Sequence, residues 1–292
     1  MKNNKYGITS LRKQFPTDEA CIEFMFDAMH KRTCSCGGTY SLMNNGKQKR
    51  RKFQCSKCRF KISPTAGTIF NKSNTPLVLW FHALLVFSNA KSGMSASALQ
   101  RDLETTYKTA WRMLTLIRKA LKQSGDKLSG DVEMDTGYFG GVFKTGAYNK
   151  RQKEAMAAKS VVIAAIQRKG EARALVVPDS KSNTHTQFVL DNVDVDTRLI
   201  TDKSRNYHQI GQGYERHTVN HKKGEYVRGD IYVNNVESFW AHVKRSIKGT
   251  HKAVSKQHLQ EYLDGFVWHY NNRYNDRERF YALLGTLLQP VK

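Results

Sequence analysis

Val132-Glu133-Met134-Asp135-Thr136-Gly137-Tyr138-Phe139 is the stretch that decides the fold. Its apolar and β-forming residues predict a strand, ended by Gly140-Gly141. Period-two alternation puts Glu133, Asp135, Gly137 and Phe139 on one face. A carboxylate within such a strand is costly to bury without a partner, and the usual partner is a cation. Two more acids stand in settings of the same kind. Asp202 ends a second strand-like run, Thr197-Arg198-Leu199-Ile200-Thr201-Asp202. Glu237 lies in a helix-like stretch, Asn234-Asn235-Val236-Glu237-Ser238-Phe239-Trp240.

If the strand ending at Asp202 lies beside the one carrying Asp135, the two acids meet. Glu237 then comes from a helix packed across the sheet edge. Oxygen-only ligands suit Mg²⁺ or Mn²⁺. Three converging carboxylates hold two such ions ~3.5–4 Å apart, one to activate a water or hydroxyl and one to stabilise the leaving oxygen. Asn234 sits one turn before Glu237. A charged oxygen holds a divalent ion better than an amide does, so Glu237 is preferred as the third ligand, with Asn234 in the site as the open alternative. Asn234, Glu237, Ala241 and Lys244 share one side of the helix. Lys244 reads either as a phosphate contact next to the metal or as a surface salt-bridging lysine, and Arg245 follows it as a DNA contact.

The strands continue around this run. Ser160–Arg168, continuously apolar from Val161 to Ile166, reads as a central strand, and Ala172–Val177 pairs with it through Lys169-Gly170. Thr184–Val193 reads as a helix, Thr197–Thr201 as a fourth strand, and Asn234–Gly249 and about Ser255–Tyr270 as helices. This order predicts a mixed α/β layered domain. His217 and His221 flank Asn220. Their spacing fits a metal-binding helix, but Gly213 and Lys222-Lys223-Gly224 point to a loop. A role near the active site or DNA, a second zinc site and two ordinary polar histidines all stay open, with His221 placed in the site.

The 292 residues leave room for more than one compact unit. Lys+Arg 48 against Asp+Glu 25 gives a net charge of +23, spread along the chain and interleaved with aromatic residues. Such a surface points to a polyanion partner, most simply DNA or RNA. The start, Met1–Tyr6, lacks an apolar core. The longest apolar run, Leu77–Phe87, falls short of the ~20 residues of a span, so neither a signal peptide nor a membrane partner is expected. The expected location is the cytoplasm, on DNA.

Ahead of the strands, Pro16-Thr17-Asp18-Glu19 starts a helix running to about His30, with Cys21 on its apolar face. Cys34-Ser35-Cys36 and Cys55-Ser56-Lys57-Cys58 then enclose a predicted hairpin, Thr39–Met43 and Arg51–Gln54, turning at Asn44-Asn45-Gly46. Two cysteine pairs closing a hairpin read as a four-cysteine zinc ribbon, with Cys34, Cys36, Cys55 and Cys58 as ligands to structural Zn²⁺. The first pair is one residue shorter than the usual gap, and His30 is an alternative ligand. Pro76–Ala90 is an apolar helix. Ser95–Leu103 and Tyr107–Leu121, joined by Glu104-Thr105-Thr106, suit a helix-turn-helix or a plain packed helical pair. On the second helix Trp111, Leu114, Ile117 and Leu121 are expected in the core, and Lys108, Arg112, Arg118 and Lys119 on DNA.

Taken together these segments resemble the bacterial insertion-sequence transposases related to Merlin elements, the ISXO-like group. The likeness spans Phe15–Glu19, the four cysteines, Thr65-Ala66-Gly67-Thr68-Ile69-Phe70, Thr106–Met113, Asp135–Gly141, Thr201-Asp202, Val219-Asn220-His221 and Asn234–Trp240 with Lys244-Arg245. Thr136 stands where many relatives look acidic. The resemblance implies a multidomain α/β protein: an N-terminal helix and zinc ribbon (residues 1–75), a helix-turn-helix (76–127), and an RNase H-like catalytic domain of the DDE type with C-terminal helices (128–292). It also implies two Mg²⁺ ions and cut-and-paste movement of an element with terminal inverted repeats. Double-stranded DNA, as element ends and as target, is then the partner, handled by a homodimer or larger assembly. The rival functions are a domesticated, non-catalytic DNA-binding regulator and an RNase H-like structure-selective nuclease.

Overall fold

A computed structural model describes residues 5–43, 52–123, 125–140, 159–210, 213–220, 224–273 and 276–289. The predicted turn at Asn44-Asn45-Gly46 and His221 lie outside the described residues. The chain forms two compact units: residues 1–121 with 272–292, and residues 122–271.

The first unit begins with α1 (Ile8–Gln14) and α2 (Asp18–Met29). Thr17 caps α2, its hydroxyl accepting the Ala20 N–H at 3.3 Å. A three-stranded antiparallel sheet follows, β1 (Tyr40–Leu42), β2 (Phe53–Cys55) and β3 (Lys61–Ile62). It packs on α2 through Ile22, Phe26, Tyr40 and Phe53, with the rings of Phe26 and Phe53 stacked 3.9 Å apart. Cys21 is a buried core residue. Next come α3 (Leu77–Asn89), α4 (Ala96–Asp102) and α5 (Tyr107–Ala120). Ser95 caps α4 through Ala98 N, and Thr106 caps α5 through Thr109 N.

The second unit is built on a five-stranded sheet: β4 (Asp131–Phe139), β5 (Ser160–Gln167), β6 (Ala172–Val177), β7 (Arg198–Asp202) and β8 (Glu215–Val219), in the order β6-β5-β4-β7-β8. The pairs β6–β5 and β5–β4 are antiparallel, while β4–β7 and β7–β8 are parallel. Between β6 and β7 runs α6 (Ser182–Asn192), and after β8 come α7 (Asn234–Ser246) and α8 (Leu259–Asn271). One face of the sheet (Val132, Met134, Ile163, Leu199) packs with Phe188 and Val189 of α6. The opposite face (Phe139, Val162, Ala164, Ile200) packs with Val236, Phe239 and Trp240 of α7 and Leu263 and Phe266 of α8. The sheet is therefore the middle layer of three.

The outer edge of β6 is closed by side-chain amides instead of another strand. Gln123 both donates to Ala174 O (2.6 Å) and accepts from Ala174 N (2.8 Å). Asn271 accepts from Ala172 N and Gln260 from Val176 N, each at 2.8 Å. These groups satisfy an edge that would otherwise offer itself to another chain. The chain then returns to the first unit with α9 (Asp276–Leu288), whose Phe280 joins Phe15 and Phe81.

Two expectations need correction. Residues 215–219 form a strand, parallel to β7, where the glycines and lysines around them suggested a loop. Only Val219 of that strand is buried, so its Glu-Arg-His-Thr sequence carries little strand signal. Residues 276–288 belong with the first unit instead of extending the catalytic region expected from 128 to 292.

Candidate active site

Asp135 lies at the middle of β4, the central strand. The β4–β7 pairing runs through Met134↔Thr201. Asp135 and Asp202 each follow the last paired residue, so they stand side by side on neighbouring parallel strands. Both lie on the face shared by Phe139, Ile200 and α7, as alternation requires.

The third acid arrives on α7. Gly137, two residues after Asp135 on the same face, has no side chain, and the indole of Trp240 fills that space. Trp240 also packs against Phe139, ring centroids 5.5 Å apart. Glu237 stands one turn before Trp240, in the first turn of the helix, and is exposed. Burial holds the Asp135 carboxyl above its ordinary range; Asp202 and Glu237 add to the rise, while the Thr136 backbone and Lys244 oppose it. The charges of Asp202, Glu237 and Lys244 thus all act on Asp135. Lys244 is exposed two turns beyond Glu237, Arg245 is exposed beside it, and Asn234 is exposed at the first position of α7.

Several residues that frame the site carried no functional signal in the sequence. Glu133 is fully buried and holds the start of α7, accepting the Asn235 N–H at 2.7 Å and the Val236 N–H at 3.3 Å. Arg216 of β8 donates to Tyr207 O at 2.9 Å and to the Thr201 hydroxyl at 3.2 Å, bracing the strand end that carries Asp202. Thr136 points to the other face, where its hydroxyl meets His185 Nε2 (2.8 Å) and the Tyr207 hydroxyl (3.1 Å). Burial, reinforced by the charge of Asp135, pushes the Tyr207 hydroxyl up and keeps it protonated. His217 lies within β8, its Nε2 2.7 Å from Glu215, so the helical spacing with His221 does not apply.

In the first unit, Cys34, Cys36, Cys55 and Cys58 bring their sulfurs within 4.8 Å of one another. Cys34 and Cys58 are 3.7 Å apart and Cys36 and Cys55 3.4 Å. A tetrahedral ion with ~2.3 Å bonds to sulfur needs separations of roughly 3.8 Å, so this donor set fits zinc. The Tyr40 hydroxyl donates to Cys34 Sγ at 3.3 Å and, with lesser help from backbone and neighbouring thiols, draws that thiol down to about 6. Gly38 leaves room for the cluster, since a β-carbon there would fall 2.5 Å from Cys55 Sγ. His30 ends α2 with its ring 5.3 Å from Phe26 and is not part of the group. The three carboxylates do not gather within 4.8 Å as the sulfurs do. A two-ion site sets its outer ligands wider than a one-ion site, and oxygen donors of this charge suit divalent cations.

The exposed face of α5 carries Tyr107, Lys108, Trp111, Arg112 and Lys119. Two sequence expectations fail here. Arg118 is not available to DNA: it is buried, and its guanidinium donates to Met94 O at 3.0 Å. Trp111, expected in the core, is 46% exposed. Helical spacing groups it with the apolar residues, but the core seam of α5 is formed by Ala110, Met113, Leu114 and Ile117. Among the described residues, no helix is long and apolar enough to cross a membrane.

Residues 127–271 match the family model described as the ISXO2-like transposase domain. An uncharacterized protein in transposable element ISH50 of Halobacterium salinarum is 27% identical over 229 residues, covering 74% of this chain and 76% of that protein. An uncharacterized transposase-like protein of Haemophilus influenzae is 28% identical over 99 residues, 34% of this chain and 79% of that one. Among solved structures, a chain of the Mos1 strand transfer complex overlaps 70% of this chain and 74% of its own length, with a TM-score of 0.28 and 10% identity. At that score the overlap adds nothing to the topology described above.

Proposed function

Because this chain belongs to the ISXO-like insertion-sequence transposases through residues 127–271, we propose that it is a DNA transposase that cuts at the terminal inverted repeats of its element and joins the freed ends to target DNA. The observation that carries this reading is the placement of Asp135 and Asp202 at adjoining positions of the paired parallel strands β4 and β7, with the helix bearing Glu237 and Lys244 seated on the same face through Trp240 over Gly137. A central strand bearing Asp135, a hairpin on one side, parallel strands on the other and helices on both faces support an RNase H-like catalytic domain of the DDE type.

In this reading Asp135, Asp202 and Glu237 hold two divalent cations, Mg²⁺ or Mn²⁺. Bound there, the pair supplies an activated water or 3′-hydroxyl and charge stabilisation at the leaving oxygen. The protein's own groups do the rest. Asp135 and Asp202 fix the site to the rigid centre of the sheet. Glu237 closes it from the helix, and Lys244 neutralises phosphate charge beside it. Asn234, exposed at the first position of α7, belongs to the margin of the same site. Lys108, Arg112 and Lys119 on α5, with Arg245 on α7, contact backbone phosphates, as the net charge of +23 favours. The α4–α5 pair acts as a helix-turn-helix, and the four cysteines hold a structural zinc that stiffens the adjoining ribbon. Both element ends must be processed together, so at least two copies assemble on DNA.

The test is incubation with DNA carrying the element's flanking ends, Mg²⁺ and a supercoiled target, beside the Asp135→Ala variant. Cleavage and joining by the parent alone, with end binding kept by the variant, is the expected result. Binding without cutting under Mg²⁺ and Mn²⁺ alike would instead favour a DNA-binding regulator.

A further inference from the structure

Glu133 is 0% exposed, two residues before Asp135 on the same strand and face. Burying a carboxylate there is tolerable only with compensating partners, and it has four. Oε1 accepts from Arg168 Nε at 2.8 Å and Asn235 Nδ2 at 2.7 Å. Oε2 accepts from the backbone N–H groups of Asn235 at 2.7 Å and Val236 at 3.3 Å. Each oxygen takes two donors, which fills the capacity of a carboxylate and leaves none for a metal ion.

The donors on Oε2 are the free N–H groups at the start of α7, whose N-cap residue, Val233, offers no capping side chain. Glu133 does this work from another element. A serine at 233 would cap the helix equally well but would not tie it to the sheet. Arg168 extends the tie to the segment entering the helix, donating to Asp230 O at 2.8 Å and Tyr232 O at 2.9 Å and lying 3.8 Å from the Tyr232 ring centroid. A single strand therefore carries both Asp135 and the anchor for the helix bearing Glu237.

We propose that Glu133, together with Arg168 and Asn235, is a positioning residue that sets the height of Glu237 over Asp135 and so the spacing of the metal-binding carboxylates. The inference rests on the metal-site reading given above. It makes Glu133 an acid of the site that never touches the metal or DNA and acts only through Glu237.

The experiment is Mn²⁺ binding to the full chain without DNA, followed by electron paramagnetic resonance. The proteins are the parent, Asp135→Ala, Glu133→Gln, Asn235→Ala, Glu237→Ala and the Glu133→Gln/Glu237→Ala double variant, with melting temperatures alongside. Glu133→Gln is expected to weaken Mn²⁺ binding about 10–100-fold, the usual effect of losing a group that orients a ligand. The double variant should bind no more weakly than Glu237→Ala alone, because both changes remove the same contribution. Asn235→Ala, which spares the backbone donors and the fold, should show a smaller loss in the same direction, and it carries the test if Glu133→Gln does not fold. Unchanged affinity in the folded variants, or additive losses in the double variant, would overturn the inference alone. Equal Mn²⁺ binding by the parent and Asp135→Ala would overturn the metal reading and the inference with it.

Discussion

The indole of Trp240 lies so close over Gly137 that a β-carbon on the glycine would meet its ring at 3.2 Å. That close approach seats α7 on the centre of β4 and brings Glu237 toward Asp135. Gly137→Ala is expected to push the helix away, at a cost of about 1–3 kcal/mol in urea or thermal unfolding. Metal-dependent cleavage should fall with it. An alanine variant with parental stability and cleavage would mean that the helix has room to move without consequence for the site.

Asp135 burdens the fold when it is ionised. Its carboxyl sits above the ordinary aspartate value of 3.8, through burial first and the charges of Asp202 and Glu237 next. An acid with a raised folded value binds its proton more tightly folded than unfolded, so stability falls as pH rises through the interval between the two values. In the absence of divalent cations, Asp135→Asn should melt above the parent at pH 8. The gain should shrink as pH is lowered toward 3.8, where the parent's carboxyl is also neutral. A variant melting at or below the parent at pH 8 would contradict this account. The same variant should be inactive, a trade of stability for function.

Arg112 and Arg118 lie on the same helix and should respond oppositely. Arg112→Ala removes an exposed charge: DNA affinity should drop, the slope of log affinity against log salt should lessen by about 1, and the melting temperature should hold. Arg118→Ala breaks a buried bond to Met94 O and should cost about 1–3 kcal/mol of stability. Its effect on DNA binding should vanish below the melting transition. Equal loss of salt dependence in both variants would place Arg118 on DNA after all.

The four-cysteine cluster should bring one zinc per chain, measured by atomic emission on the purified protein. A structural zinc contributes on the order of 10 kcal/mol to a small unit of this kind. Chelation or Cys55→Ser is therefore expected to unfold the β1–β3 sheet. Gly38→Ala, whose new β-carbon would fall 2.5 Å from Cys55 Sγ, should lower zinc content without touching a ligand. A zinc-free protein with the same circular dichroism and melting curve would refute the assignment.

Much of this was legible along the chain because its signals are local. Cysteine spacing marked the cluster. The continuous apolar run at 161–166 marked β5, which is buried on both faces. Gly140, after an alternating strand bearing Asp135, marked the end of β4. The errors have equally specific causes. Strand β8 is short, polar and at the sheet edge, so nothing in Glu-Arg-His-Thr-Val announces it. Arg118 and Arg112 are both helical arginines six residues apart, and only the packing of α4 beside α5 separates a buried brace from an exposed charge. Gln123, Gln260 and Asn271 look like ordinary polar residues, yet they line up along the edge of β6.

The sequence by itself determined the acids, the cysteines, the basic surface and the order of most elements, since residue type, spacing and periodicity are local properties. Tertiary structure alone decided how they meet. Parallel pairing of β4 with β7 set Asp202 beside Asp135, although 66 residues lie between them. The reach of Glu133 from β4 to the first turn of α7 depends on a contact across 102 positions in the chain. Such relationships arise from burial and hydrogen bonding between distant segments, and the energy that fixes them comes from a core that exists only once the sheet and its helices have closed.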